Sequence, residues 1–248
     1  MKRKGAWGMV KVVGGILIVW QLLAMVLRIA FIPTPVAVLA NIYDIFFSKI
    51  ALHMLLSLVR IAAGLAASIL VGVPLGLCMG YFAAWNKRLS PLVYFTYPIP
   101  KIALLPLVML VFGLGEFSKI FMIMLIVVFQ VIVSMRDAVR SIPKETFYSM
   151  ISLGARRSAI FKLVVFPASL PALLSSVRVS LGTALSVLFF TETFGTQYGL
   201  GYFIMDSWMR VNYVDMFSGI LILGVLGLLL FGTVDLLERA VCRWKGAA

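Results

Sequence analysis

The sequence predicts an all-α polytopic membrane protein of about six transmembrane helices, and three observations predict it. Hydrophobic residues fill 62% of the 248 positions, charged residues only 12%, and the mean hydropathy is +1.09. That is more apolar surface than a soluble domain can bury, so lipid is the solvent for much of the chain. Six apolar stretches with few charges run through it: Val12 to Phe31, His53 to Phe82, Leu92 to Phe112, Phe117 to Met135, Leu173 to Thr193 and Met216 to Leu237. A bilayer core of about 30 Å takes roughly 20 helical residues per crossing, so the length accommodates about five to seven spans. A single membrane domain over residues 1–248 is expected, without room for a soluble catalytic domain.

The first stretch follows Lys2, Arg3 and Lys4, as in a secretory signal, but no small-x-small cleavage site follows from Leu27 to Phe31, which favours an uncleaved span. In the second, Gly72, Gly76 and Gly80 recur every fourth residue and make a flat strip for close helix packing, with Pro74 able to bend it. The third carries Pro98, Pro100 and Pro106, which predicts a kinked or locally broken helix whose freed carbonyls are satisfied by neighbours. The remaining three are plain apolar helices by length and composition.

A net charge of +13 would point to nucleic acid in a soluble protein; here the basic residues are topology signals, and no nucleic-acid partner is expected. With a cytoplasmic N-terminus, the inner segments carry Lys2, Arg3, Lys4, Lys11, Lys87, Arg88, Arg136, Arg140, Lys144, Arg156, Arg157, Lys162, Arg239, Arg243 and Lys245. The outer ones keep only Lys49, Lys119 and Arg210 clear of the spans, so both termini are expected inside. Cys78 and Cys242 have no paired spacing for metal or redox work, and no cofactor is expected.

One inner loop, Arg136 to Pro171, is too long for a mere connection and has helical patterning of its own. Ser141 can cap a short helix, Pro143 suits its first turn, and Phe147, Met150 and Ile151 share a face. Gly154 can close that helix in the left-handed conformation and turn the chain into a second amphipathic stretch with Ile160, Phe161, Val164 and Val165, which Pro167 and Pro171 are expected to stop. Two readings compete for this helix, turn, helix element: an interfacial anchor held to anionic lipid by Arg156, Arg157 and Lys162, or a docking element for a cytoplasmic partner.

Ionisable groups at membrane depth need an explanation, and Arg60, Lys101, Arg178 and Glu192 each sit in an apolar stretch. Arg178 and Glu192 can reach an interface by snorkelling. Alternatively Glu192, with Thr191 and Thr193, faces the outer mouth of a pathway, while Arg60 or Arg178 offers positive charge to an anionic solute. Lys101, in the proline-rich third stretch, can line a cavity or snorkel equally well. His53, the sole histidine, has no carboxylate near it in sequence and is read as structural. The glycine-rich strip from Gly195 to Tyr202 is an outer turn or a contact for an extracytoplasmic protein.

Several of these residues resemble the cytoplasmic signature of ABC importer permeases: a Glu-Ala-Ala triplet, a glycine four residues after its last alanine, and a Leu-Pro pair. Gly154 and Pro167 match, as does the run Ser152, Leu153, Gly154, Ala155, with Val164 and Phe166 in place of the usual Ile and Leu. Tyr148, Ser149 and Met150 replace the triplet, and Glu145, one turn earlier, is not its glutamate. The run from Ile99 to Pro106, then Phe112, Gly113, Leu114, Gly115 and Glu116, is similar to permeases for aliphatic sulfonates, taurine and nitrate; the likeness covers about residues 50–246. Related permeases serve bicarbonate, pyrimidine vitamin precursors and riboflavin-like compounds.

The resemblance implies the type I importer permease fold in a bacterial inner membrane. It further implies a second, usually identical, permease copy, two cytoplasmic ATP-binding subunits and an extracytoplasmic solute-binding protein. The coupling residues it assigns are Glu145, Tyr148, Ser149, Met150, Gly154, Ala155, Arg156, Ile160, Phe161 and Pro167. A small anion is the expected solute, with a vitamin or pyrimidine precursor as the alternative. No Gly-x-x-x-x-Gly-Lys-Ser/Thr loop is present, so ATP hydrolysis is expected on a separate subunit and no enzymatic activity on this chain. An ion-coupled secondary transporter would need intramembrane carboxylates, and only Glu192 and Asp235 qualify, both near span ends. A membrane enzyme would need clustered acids or histidines, which nine scattered acids and one histidine do not make.

Overall fold

The computed structural model describes residues 2–27 and 31–243, with side chains for 11–26 and 31–243. The basic side chains of Lys2, Arg3 and Lys4 and the closing Trp244, Lys245 and Gly246 lie outside the described residues. The described chain is helical, without a strand. It opens with α1 (Lys2–Leu27) and α2 (Pro35–Ile45), which starts where Thr34 Oγ1 accepts the N–H of Ala37 at 3.3 Å and Pro35 takes a first-turn position. A π-turn at Phe46–Ile50 carries α2 without a break into α3 (Ala51–Tyr81), so Pro35–Tyr81 is one apolar helix of 47 residues. The second span therefore extends well upstream of His53.

The third expected span is broken outright. Here α4 (Ala83–Thr96) gives way to a 3₁₀ turn at Lys101–Leu104 and then α5 (Leu105–Phe112), and the two halves meet at 82°. Pro98 and Pro100 remove two N–H donors just past the end of α4, where Tyr97 still keeps helical angles (φ −58°, ψ −49°), whereas Pro106 sits in the first turn of α5, where no donor is missed. After this come α6 (Glu116–Arg140), α7 (Lys144–Ser152), α8 (Arg157–Ile160), a π-turn at Phe161–Val165, α9 (Phe166–Glu192), α10 (Leu200–Met209) and α11 (Tyr213–Val241).

Pro167 and Pro171 do not stop the chain as the sequence suggests, for Arg157–Glu192 is one continuous helix of 36 residues. The π-turn just before Pro167 loosens the hydrogen-bond register, and Ser169 Oγ donates to the carbonyls of Val165 (2.8 Å) and Phe166 (3.0 Å) between the two prolines. Among the described residues, four helices are long and apolar enough to cross a bilayer, or five if the bent pair is one span, and Lys11–Val26 is a shorter apolar helix at the first expected span. Each of the six expected stretches overlaps one of these helices, the first as far as Leu27, with residues 28–30 outside the described residues.

The chain divides into two compact units, residues 1–56 with 197–225, and residues 57–196 with 226–248. In the first, Trp20 packs against Phe217 at 5.6 Å, and Asn41 Nδ2 donates to Asp215 Oδ1 (2.8 Å) and Ser218 Oγ (3.0 Å). In the second, the predicted glycine strip brings α3 against α6: a Cβ on Gly76 would lie 2.6 Å from the Ile132 carbonyl oxygen, and one on Gly80 2.5 Å from Val139 Cβ. Beside it, Met79, Val93, Val128 and Ile132 form a buried apolar cluster. Hydroxyls join α6 to α9, with Ser134 Oγ donating to the Ala172 carbonyl (3.2 Å) and Ser180 Oγ to Gln130 Oε1 (2.6 Å). Small residues and single hydrogen bonds are what hold helices together where the surroundings are as apolar as the core.

Candidate functional site

The connection between α6 and α9 has the shape of a docking element. α6 runs on through Arg136, which is buried and pairs with Asp137 at 2.8 Å, so the loop begins later than expected. Ser141 consequently closes α6, its Oγ donating to the Ala138 carbonyl at 2.8 Å, and does not cap α7. α7 ends in a paired turn: the N–H of Gly154 donates to the Ile151 carbonyl (2.9 Å) and that of Ala155 to the Met150 carbonyl (3.0 Å). Gly154 takes φ +74°, and nothing lies within 4 Å of where its Cβ would be, so the requirement for glycine is conformational, not steric.

No residue of α7 is buried. Tyr148 is 62% exposed, Ile151 58% and Leu153, just past the helix, 83%, three apolar side chains with nothing covering them. Glu145 and Ser149 are exposed, joined by a 2.9 Å bond from Ser149 Oγ to the Glu145 carbonyl; Met150 and Ala155 are half-buried and Arg156 is exposed. Ile160 is buried. Phe147 and Phe161 both meet the ring of Tyr81, at 6.2 and 6.1 Å, so the end of α3 holds both halves of the element. Pro167 continues into α9, half-buried. Leu153 and Tyr148 were legible as part of a motif, but not as the most exposed part of it.

The opposite ends of α3, α6 and α9 are tied by charge. Arg60, 1% exposed, donates from Nε to Glu116 Oε2 (2.5 Å) and from Nη2 to Glu116 Oε1 (2.6 Å), a two-pronged grip. Its Nη1 donates to Glu192 Oε1 at 2.7 Å, and Ser57 Oγ donates to the same carboxylate at 2.7 and 2.9 Å. Glu116 at the start of α6 complements the helix dipole, whereas Glu192 at the end of α9 opposes it and needs Arg60 to be stable there. Glu192 is fully buried, so it does not snorkel to an interface as one sequence reading allows.

Lys119 joins this end, buried inside α6 and not in an outer loop; its Nζ donates to the carbonyls of Leu114 (2.8 Å) and Gly115 (3.1 Å). Thr191 is buried and Thr193 half-buried, and each returns its hydroxyl to its own helix, at the carbonyls of Leu188 and Phe190. Arg178 is matched by Asp235 and Glu238 of α11, both at 2.5 Å. The charges of Arg60 and Arg178 are thus already answered by carboxylates within the chain. Sequence reading missed Glu116, Ser57 and Lys119, because nothing in linear order links Arg60 to a carboxylate 56 positions on.

The break in the third span supplies the remaining cation. Lys101 is 9% exposed, and its Nζ donates to the carbonyls of Thr96 (2.9 Å) and Tyr97 (3.1 Å), so the freed carbonyls are met from within the same segment and not by a neighbouring helix. It borders a cavity of about 370 Å³ that Tyr97, Phe129, Gln130, Thr183 and Ser186 also line. In the other unit, His53 Nδ1 accepts the N–H of Gly199 at 3.0 Å and its ring lies among Tyr198, Tyr202 and Phe203, a structural setting. No group of three His, Cys, Asp or Glu side chains arranged to hold a metal occurs among the described residues.

Residues 68–243 match the sequence model of the family described as "Binding-protein-dependent transport system inner membrane component". The chain is 31% identical over 239 residues to the taurine transport system permease protein of Escherichia coli, covering 93% of this chain and 87% of that one. It is 32% identical over 239 residues to a putative aliphatic sulfonates transport permease protein of Bacillus subtilis, covering 94% and 85%. Among solved structures, an inward-facing form of the MetNI methionine ABC transporter superimposes with a TM-score of 0.68 at 20% identity, over 76% of this chain and 94% of that one, a likeness of fold.

Proposed function

The chain belongs to the family of binding-protein-dependent transport system inner membrane components, and on that premise we propose that it passes a small sulfonate-bearing solute into the cell as one of two identical permease copies. In this reading the whole chain acts as one permease domain with both termini in the cytoplasm. Two ATP-binding subunits sit beneath the pair, and an extracytoplasmic binding protein delivers the solute from above. ATP is hydrolysed on the partner subunits, and α7 with its Gly154 turn carries their movement to α6 and α9.

The observation that carries the docking role is the group of bare apolar side chains, Tyr148 and Ile151 on a short helix and Leu153 just past it, where Gly154 fixes the exit angle. A lipid anchor would turn such side chains toward the acyl chains with its basic residues at the rim. Here Lys144 precedes the exposed apolar side chains and Arg156, Arg157 and Lys162 follow them, so the cations fit either reading, and membership of a family of binding-protein-dependent transporters favours a protein cleft. The names of the sulfonate and taurine relatives support the solute class.

The test is copurification and uptake. A tagged chain extracted in mild detergent is expected to bring down an ATP-binding subunit in equal amount, and the complex is expected to have the mass of two of each. With its binding protein and internal ATP in proteoliposomes, it is expected to accumulate taurine or an alkanesulfonate in preference to nitrate or a pyrimidine. Accumulation of the pyrimidine alone would replace the sulfonate reading. Leu153→Asp, at an exposed position, is expected to leave thermal stability unchanged and to cut recovery of the ATP-binding subunit at least about tenfold, since a charge forced into a buried apolar contact is not accommodated. Unchanged recovery would return these side chains to the lipid.

A further inference from the structure

We propose that the cavity at the broken span is an anion-binding station on the translocation path, where the Lys101 ammonium receives the sulfonate or similar oxyanion of the solute. The proposal deepens the reading of an anionic solute and rests on it. Its walls come from three elements of one compact unit: the break itself (Tyr97, Lys101), α6 (Phe129, Gln130) and α9 (Thr183, Ser186). A cavity of about 370 Å³ is of the size that small ligands occupy, and its composition, apolar with a few convergent polar groups, is that of a ligand site.

Charge is the main argument. Four cations are buried among the described residues: Arg60, Lys101, Lys119 and Arg136. Arg60 and Arg136 pair directly with carboxylates, and Lys119 lies in the field of Glu116 and Glu192. Lys101 has no such partner; it is held by two backbone carbonyls and by the face of Phe129, 4.7 Å from Nζ to the ring centroid. Those dipoles fix the ammonium in place without cancelling its charge. An ammonium kept at this depth without a counter-ion is costly, and an arriving anion supplies what is missing.

The neutral groups fit the same ligand. Ser180 Oγ donates to Gln130 Oε1 at 2.6 Å, which orients the amide and leaves Nε2, a donor, for the cavity. The Thr183 hydroxyl stands in the same wall, without a described hydrogen bond of its own. An oxyanion thus meets one cation and two neutral donors, while Tyr97, Phe129 and Phe190 offer apolar surface to an alkyl chain. The carbonyls of Thr96 and Tyr97 keep competing for the ammonium, so the anion is held weakly enough to move on.

The experiment reads local charge, not uptake. In the assembled complex with Cys78→Ala and Cys242→Ser, Thr183→Cys is treated with anionic sulfonatoethyl methanethiosulfonate or cationic trimethylammonioethyl methanethiosulfonate. Rates are corrected for the reagents' reactivity with a free thiol. The anionic reagent is expected to be favoured by about tenfold, the effect of one nearby unit charge in a partly hydrated site. Ethanesulfonate at millimolar concentration should slow it. Adding Lys101→Met is expected to abolish both preference and protection, and Lys101→Arg to keep them.

A preference unchanged in Lys101→Met overturns the proposal. Should that variant fail to assemble, absence of ethanesulfonate protection with Lys101 intact overturns it equally. Because the labelling needs neither ATP nor transport, the two readings separate. Sulfonate uptake with no preference removes the station and leaves the importer reading standing. Preference with protection but no sulfonate uptake keeps the station and assigns the importer another anion.

Discussion

Arg60 satisfies two carboxylates from helices whose ends would otherwise be independent, and Ser57 completes the hydrogen bonding of the one that is fully buried. Removing one partner of such a set leaves an unanswered charge in an apolar interior, at a cost of about 3–5 kcal/mol. Arg60→Met is therefore expected to lower the thermal midpoint of the purified complex sharply, since the buried Glu192 loses the guanidinium that pairs with it. Arg60→Met combined with Glu192→Met should recover most of the loss, because the pair is then replaced by apolar volume. A double variant no more stable than the single one would show that Glu192 is held chiefly by Ser57. Half of this cluster was legible: an arginine and a glutamate in apolar stretches announce themselves. Glu116 did not, because its significance depends on where α6 begins, and Ser57 did not, because a serine in a span is ordinary.

Elements tell the same story in a different way. The strip of Gly72, Gly76 and Gly80 was legible from spacing alone, and the contacts of α3 with α6 explain why no side chain fits there. Gly76→Val would press into the Ile132 backbone, and overpacking of this kind costs about 1–3 kcal/mol. Its folded yield and resistance to limited proteolysis are expected to fall. Gly224→Ala, with nothing within 4 Å of the added carbon, is expected to hold or gain by about 0.5–1 kcal/mol, the usual helix preference for alanine. Equal behaviour of the two would mean that α3 and α6 are not packed through this strip. Prolines were the less readable signal. Pro98 and Pro100 break a span, yet Pro167 and Pro171 are absorbed into one, and the difference lies in a π-turn and in Ser169, neither of which a propensity scale reports.

At the scale of the whole molecule, the docking element and the charge cluster occupy opposite ends of the same helices, α6 and α9. In the proposed coupling, movement received at α7 would pass along two spans whose far ends are clamped. Gly154→Val strains a left-handed residue by about 1–3 kcal/mol and alters the angle at which α7 leaves the membrane face. The variant is expected to insert and to retain its ATP-binding subunits while solute uptake per ATP hydrolysed drops several-fold, and Gly154→Asn, which tolerates this conformation, to fall in between. Uptake unchanged in Gly154→Val would remove the turn from the coupling path. The division of the chain into two compact units was not legible, because it joins residues 1–56 to 197–225 across the length of the sequence.

The uncovered apolar side chains at α7 also bear on the life of the protein before it is assembled. On the proposed topology a newly inserted copy would display Tyr148, Ile151 and Leu153 to the aqueous side with nothing upon them, which is the kind of surface that quality-control proteases and aggregating neighbours seize. If a partner covers them as proposed, abundance is expected to follow the supply of that partner, and a cell that makes this chain in excess should degrade the surplus.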